Sequence, residues 1–400
     1  MLLTALISFG LFAIIFATYF ILVIKSPKTS NYNQTIDEAM NLRLDPSELP
    51  KISILVPAWN EEKVIAAKLE DLAAMRYPRE KMEVVLIDDF SDDFTSVIGA
   101  RVMKRLRLPG KIVNNERRIG VNGCYNRGLQ ESNGDLIVTT DADVMVDHEA
   151  LMKSVKILSA LKDVGGVTAR LVPVSSSSTA AARVEAPYRN LYNTMCVAES
   201  AIHSTFPGNG PFALVRRLVF APVPVGYGSS DGNISLGVVR RGLRFVYTPS
   251  VFFYEPIPLI LGEQIRQKTR RAARMIQSAW ANRDMLFKRE CGDFGAVVFP
   301  LRFLMMMVCP PLFLLGSVSI VAVIAYVSIY ASLCVVLFAL LGPFLGSRLK
   351  LGKASLLYSL GMHQCYLLLG LLLSCRKLSV WKPVERHSVS SRETPTAFKS

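Results

Sequence analysis

The sequence predicts an α/β domain on a mostly parallel sheet, flanked by membrane-spanning helices. Three observations lead there. Between Lys51 and Thr140, short apolar runs alternate with segments of helical spacing, the pattern of linked βαβ units. Met1 to Ile24 is nearly free of charge, as is most of Phe294 to Cys375 apart from Arg302, Arg348, Lys350 and Lys353. Such stretches suit lipid better than water. Finally, three of the predicted strands end in polar residues able to hold a ligand: Asn60-Glu61, Asp88-Asp89, and Asp141 with Asp143.

Composition narrows the class. The 400 residues are 51% hydrophobic, with a formal net charge of +14. That charge raises nucleic acid as a partner, but the basic residues form no stripe with interleaved aromatics, so no nucleic-acid partner is expected. Many of them cluster at Arg266 to Arg274, a position suited to anionic headgroups or a phosphorylated ligand, or to a solvated basic helix. The seven cysteines include no CxxC pair and are odd in number, which fits reduced thiols rather than a disulfide frame or zinc site.

The elements follow in order. Met1 to Ile24 reads as a retained anchor rather than a signal peptide: it lacks a basic start and no small-x-small cleavage site stands out near its end. Lys25 and Lys28 behind it place the soluble domain in the cytoplasm by the positive-inside tendency. Lys51–Pro57 is an apolar strand, and Val64–Met75 a helix with Ile65, Leu69 and Leu72 on one face. Tyr77-Pro78 breaks it. Val84–Ile87 is a second strand, with Ser91 expected to cap the next helix and Asp92 and Asp93 in its first turn. Lys111–Val113 is a third strand, Ile119–Gln130 a helix, and Asp135–Thr140 a fourth strand.

Asp141-Ala-Asp143 ends that strand. Two carboxylates so close can share one hard divalent cation, whose companion is commonly a diphosphate; a solvated turn is the plain alternative. The convergence of three acidic strand ends counts for more. Unpaired carboxylates at one rim repel each other unless a cation or substrate donors relieve them, and open α/β sheets bind ligands at that rim. No Gly-x-Gly-x-x-Gly or Walker-type loop follows the first strand, which argues against a dinucleotide oxidoreductase or a P-loop ATPase.

At this point the chain resembles the membrane-bound members of glycosyltransferase family 2, the group of the cellulose, hyaluronan and poly-N-acetylglucosamine synthases. The resemblance runs from about Ile52 to Arg274. It rests on Val56-Pro57-Ala58-Trp59-Asn60-Glu61, on Tyr77-Pro78 ahead of Val84 to Asp92, on Asn126-Arg127-Gly128-Leu129 and on Asp141-Ala142-Asp143. It continues through Gly208-Asn209-Gly210 before Arg216-Arg217, then Asp231 with Gly242, Pro249 and Glu255 at matching intervals. It implies a GT-A (Rossmann-like) fold and inverting sugar transfer from a nucleotide-sugar donor, most simply a UDP-sugar. By the same resemblance, Pro57, Asn60, Glu61, Asp88 and Asp89 would contact the nucleoside, and Asp141 the ribose or the metal. Asp143 would be the main ligand of Mg²⁺ or Mn²⁺, and Asp231 the catalytic base. Gln267, Arg270 and Arg271 stand where processive members carry Gln-x-x-Arg-Trp.

Departures from the family pattern set the expected limits. Ser230 replaces the glutamate before the catalytic aspartate. Arg271 replaces the tryptophan on which an acceptor sugar would stack, which puts chain extension in doubt. Val121 replaces a common lysine, with Arg117 or Arg118 nearby. The expected organisation is an anchor (1–25), a linker (26–50), the cytoplasmic GT-A domain (51–248) and an interfacial connector (249–295). Two or three further membrane helices (296–375) and a polar tail (376–400) follow, so the whole would be a multi-pass protein of the cell membrane. The expected partners are a nucleotide-sugar donor, a lipid-linked or polysaccharide acceptor, and membrane lipids. The rival readings are a processive synthase that exports its product and a non-catalytic scaffold on a transferase fold.

Overall fold

A computed structural model describes residues 1–174, 180–256, 261–337 and 352–376. In chain order, α1 (Leu2–Tyr19) and α2 (Lys28–Met40) come first. Then come β1 (Ile52–Ala58), α3 (Ile65–Ala73), β2 (Met82–Asp88), α4 (Thr95–Leu106), β3 (Gly110–Asn114), α5 (Gly120–Gln130) and β4 (Leu136–Thr140). They are followed by β5 (Met145–Val146), α6 (Ala150–Ala160), β6 (Val164–Val174), α7 (Ala180–Ile202), β7 (Phe212–Arg216), α8 (Ser230–Arg240) and β8 (Arg244–Pro256). The series ends with α9 (Leu261–Ala281), α10 (Phe299–Met307), α11 (Cys309–Val327) and α12 (Gly352–Ser374). Two compact units result: among the described residues, one holds 34–174 and 207–256, the other 1–33, 180–206 and 261–376.

The first unit is built on an eight-stranded sheet in the order β3-β2-β1-β4-β7-β6-β8-β5. The strands β3, β2, β1 and β4 are parallel, as their helical connections require. β6 and β8 are also parallel, but β7 runs antiparallel to β4 and β6, and β5 antiparallel to β8. The expectation of a mostly parallel sheet thus holds for the first four strands. Beyond them the sheet is mixed, because β6 and β7 are joined through α7, which belongs to the other unit and not to a βαβ crossover. Residues 249–256, expected to open the connector, are instead the second half of β8.

The burial pattern explains why these residues form a sheet. β1, β2 and β4 are buried almost end to end, as central strands covered on both faces must be. Leu55, Val85, Ile87, Ile137 and Val215 pack on one face with Cys124 and Tyr125 of α5 and Ile234 and Val238 of α8. Gly128 lets α5 come close, since a Cβ there would lie 2.9 Å from Ile87 Cδ1. The far end of α5 is tied down by Arg217, which donates to the carbonyls of Gly134 (2.7 Å) and Leu129 (3.1 Å) and to the Ser132 hydroxyl (2.7 Å).

The second unit is helical. Two stretches among the described residues are long and apolar enough to cross a membrane, Leu2–Ile24 and Phe294–Val327. The second breaks at Val308, and Pro310-Pro311 sit in the first turn of α11, where a missing N–H costs nothing. Arg302, a charge inside this apolar run, is paired with Glu199 of α7; Glu199 also accepts from the Tyr19 hydroxyl (2.6 Å) and from Thr205 (2.9 Å). Ser359–Ser374 is a shorter apolar helix. Residues 338–351 and 377–400, on which part of the expected spans and the polar tail fall, lie outside the described residues.

Candidate active site

The parallel half of the sheet fixes where a ligand can sit. From β1 the chain steps outward to β2 and β3, then returns to place β4 on the other flank of β1. That reversal opens a crevice beyond the carboxyl ends of β1 and β4. The β1–β4 pairing ends at Leu55↔Thr139, whereas β1 stays paired with β2 through Ala58↔Asp88. Pro57 therefore lacks an N–H only where no β4 partner needs one, since residues 56–58 have no β4 partner along that edge.

The loops after β1 and β2 are tied into one platform. The Asn60 N–H donates to Ser91 Oγ (3.0 Å), and Ser91 Oγ donates in turn to the Asp88 carboxylate. Asn60 Oδ1 accepts from the Asp92 N–H (2.9 Å), and the Glu61 N–H donates to Thr95 Oγ1 (2.8 Å). Two non-glycine residues hold left-handed backbone here, Asn60 (φ 54°) and Phe90 (φ 64°), strain of the kind that gathers at functional loops. Ser91 does not cap α4 as expected. Its hydroxyl is committed to Asp88, and Asp93 accepts from the Thr95 N–H (2.9 Å) at the helix start instead.

Asp88 and Asp89 are both buried, at 6% and 4% exposure, but they do different things. Burial pushes the Asp88 carboxyl above its ordinary range, against the two Ser91 hydrogen bonds that lower it. Asp89 accepts from the N–H groups of Ile119 (2.8 Å) and Gly120 (2.8 Å) and from Asn115 Nδ2 (3.0 Å). It is the acid at the start of α5, matched to the positive end of the helix. Arg118 lies 4.0 Å from Asp89, with its guanidinium 3.2 Å from the centre of the Trp59 ring. Arg118 is thus engaged by both loops, which bears on its expected role as a substitute for the missing lysine.

α5 also carries Tyr125, whose buried hydroxyl is pushed well above its ordinary value by burial, then by the charges of Asp141, Cys124 and Asp231. One residue earlier, burial and then Asp89 push the Cys124 thiol up, with Asp88 adding to the shift. Asn122 donates to the Pro224 carbonyl (2.7 Å), while Asn126 donates to the Val223 carbonyl (2.8 Å) and accepts from the Val223 N–H (2.7 Å). These bonds hold the loop that leads into α8, where Ser229 caps the helix and Asp231 occupies the first turn. Gly210 flanks Asp231: a Cβ there would lie 3.6 Å from the Asp231 Cγ. Asn209 is fixed to β6 through Thr168 and the Ala169 carbonyl.

Asp141 and Asp143 are half-buried on the turn after β4. Among the described residues no group of three or more His, Cys, Asp or Glu could hold a metal ion. Two carboxylates on one turn nonetheless fit a small hard cation, which takes one or two protein oxygens and completes its shell with water and phosphate. Beneath the turn, the Lys68 ammonium donates to Thr140 Oγ1 (2.9 Å) and to the Val144 carbonyl (2.7 Å). Sequence reasoning missed Lys68, Tyr125 and Asn122. The first left a signal, since Lys68 falls on the apolar stripe of Ile65, Leu69 and Leu72. Gln267, Arg270 and Arg271 lie on α9, in the helical unit.

Comparison with known proteins bears on the family and the fold. A family model described as "Glycosyl transferase family 2" matches residues 53–220. Residues 53–220 are a glycosyltransferase family 2 domain. This family 2 domain covers β1 to β7 and so includes Asp88, Asp89, Asp141 and Asp143 but not Asp231. Among curated relatives, the "Probable glycosyltransferase YdaM" of Bacillus subtilis is 27% identical over 242 residues, covering 57% of this chain and 56% of that protein. The poly-beta-1,6-N-acetyl-D-glucosamine synthase of Staphylococcus aureus is 24% identical over 247 residues, covering 60% and 58%. The chain thus spans a little over half the length of the curated relatives it matches. A solved structure, the mannosyltransferase PcManGT from Pyrobaculum calidifontis in complex with GDP-Man and Mn²⁺, superposes with a TM-score of 0.72 at 23% identity, covering 93% of this chain and 99% of that one. The fold is accordingly GT-A, as the sequence resemblance implies.

Proposed function

We propose that the protein is a membrane-associated, inverting glycosyltransferase that moves a sugar from a nucleoside-diphosphate donor to an acceptor hydroxyl. The observation that carries this reading is the pair Asp141 and Asp143 on the turn after β4, at the end of the sheet where the strand order reverses, with Asp231 entering from the first turn of α8. Two carboxylates from distant parts of the chain then address one reacting centre. Asp231 takes the proton from the acceptor hydroxyl as that oxygen attacks the anomeric carbon. The bond to the diphosphate breaks on the opposite side, which inverts the centre in one displacement. Asp143, with Asp141, would hold Mg²⁺ or Mn²⁺, whose positive charge would stabilise a diphosphate leaving group. The 57–62 and 88–95 loops, carrying Pro57, Asn60, Glu61 and Asp88, form the nucleoside side of the site. Asp89 serves that side by fixing α5.

The donor is a UDP-sugar in this reading. Curated relatives named for N-acetylglucosamine make UDP-N-acetylglucosamine the first candidate to test. Gln267 and Arg270 would bind the acceptor, as the family pattern implies. Arg271, exposed on α9, offers no flat ring for a growing chain, which favours transfer to a lipid-linked acceptor over processive synthesis. Membrane attachment is supported by Leu2–Ile24, which leaves Leu3, Leu6, Ile14 and Ile21 open, an arrangement that lipid tolerates and water does not. Lys25 and Lys28 favour a cytoplasmic catalytic unit and a multi-pass topology built on Phe294–Val327 and the helices after it. The decisive experiment is a donor screen on detergent-purified protein, with and without Mn²⁺, followed by mass analysis of lipid products. Loss of transfer in Asp231→Asn with donor binding intact supports the assignment; near-normal turnover in that variant overturns it. A polymeric product would point to the synthase reading, and no hydrolysis or transfer with any donor to a scaffold.

A further inference from the structure

Lys68 has no exposed surface. It projects from α3 on the same stripe as Ile65, Leu69 and Leu72, all of them buried. A lysine in such a place is costly, because an ammonium loses its hydration there unless bonds and counter-charge replace it. Both are present. Two of its three N–H bonds go to Thr140 Oγ1 and the Val144 carbonyl, and Asp71 and Asp141 supply opposing charge. The two acceptors are the residues on either side of Asp141-Ala142-Asp143. One helical turn further on, Asp71 accepts from the Val146 N–H (3.0 Å) and faces His148 (3.5 Å). α3 therefore grips the segment from 140 to 148 at successive points from beneath.

We propose that Lys68 is a positioning residue for the donor's diphosphate. Its ammonium pins both ends of the 140–144 turn, so that the Asp141 and Asp143 carboxylates are held in the geometry that a cation-bound diphosphate needs. This inference rests on the glycosyltransferase reading above and assigns the turn a support that the family resemblance does not supply. Bonds to the flanks of a ligand turn act as outer-shell contacts do, where loss typically costs about 10–100-fold in affinity or activity.

The test compares Lys68→Met, which keeps the length of the side chain and loses both bonds, with Lys68→Gln, whose amide can still donate. Full-length protein in detergent is titrated by calorimetry with UDP or GDP, whichever wild type binds, in the presence of Mn²⁺. A second titration uses the corresponding nucleoside without metal. Lys68→Met is expected to weaken the metal-dependent diphosphate binding by at least about tenfold and to leave nucleoside affinity unchanged. Lys68→Gln is expected to recover part of the loss. Equal loss of nucleoside affinity, or a glutamine variant no better than methionine, overturns the proposal. Should Lys68→Met fail to fold, Thr140→Val removes one acceptor at constant shape and is expected to weaken diphosphate binding alone; unchanged binding in that variant overturns the proposal too. If wild type binds no nucleoside diphosphate at all, the underlying reading fails and the inference falls with it. Wild-type binding with unaltered variants sinks the inference alone.

Discussion

The ends of β2 and β4 look alike in sequence, each a pair of acids closing an apolar strand, yet the structure uses them in opposite ways. At β2 the pair is buried and bound by its own chain. Asp88 is held by Ser91, and Asp89 caps the start of α5. At β4 the pair is half-buried on a turn clamped from below by Lys68. The first pair braces its own loops, and the second is the one given chemical work in the proposed reaction. Acids at a strand end are therefore not one signal. Depth of burial and the support of the segment that carries each pair set the two apart.

This contrast can be broken by substitution. The largest effect belongs to the acids facing the crevice. Asp231→Asn should lower the turnover number by about 10²–10⁴-fold, the usual contribution of a general base, while the melting temperature stays near wild type. Asp143→Asn should abolish the metal-dependent part of donor binding in calorimetry, again without unfolding. Asp89→Ala should behave in the reverse way. Three donors would lose their acceptor, costing on the order of 2–4 kcal/mol of stability, read as a shift in the urea midpoint. If Asp89→Ala keeps its midpoint but loses nucleoside binding, the two strand ends are not divided as described.

Smaller effects sharpen the contrast. Asn126→Ala releases the Val223 backbone from both of its bonds and should cost about 1–2 kcal/mol in the same unfolding experiment, with a further fall in turnover because the loop leads to Asp231. Phe90 is half exposed at φ 64°, and replacing it with glycine removes about 1–2 kcal/mol of steric cost, offset in part by chain entropy. A slight rise in melting temperature is expected. The smallest effect concerns His148 on the β4 side. Its hydrogen bond to Asp71 raises its pKa above 6.5, with Asp147 adding to the rise and burial and Arg76 opposing it. A raised histidine contributes stability that is present below the unfolded value and lost as pH rises through the folded one. The ring is half exposed, so the contribution is a few tenths of a kcal/mol at most. The melting-temperature difference between wild type and His148→Gln should be largest near pH 5.5 and vanish towards pH 8.

Much of this was legible in the sequence because the relevant physics is local. Continuous apolar runs marked β1, β2 and β4, and helical spacing marked α3 and α5, with ends close to those observed. The acids at the rim were visible because strand ends are. The rest depends on contacts between distant residues. The antiparallel entry of β7 cannot be read from alternation, since α7 before it belongs to a different unit. That Ser91 does not cap α4 follows from a hydroxyl already drawn to Asp88. The Glu199–Arg302 pair joins residues a hundred positions apart, and Arg302 alone reads only as an interruption of an apolar helix. Tyr125 is a core aromatic whose hydroxyl feels the charge of two carboxylates that arrive from elsewhere in the chain.

Arg217 gives α5 one more property. Its guanidinium grips the carbonyls at the helix's far end, while Asp89 holds the N–H groups at its near end. Opposite charges thus clamp opposite poles of a single dipole, and the rod is held at both ends. The 221–229 stretch hangs from this axle by its two asparagines, so the loop ahead of Asp231 inherits its placement from α5.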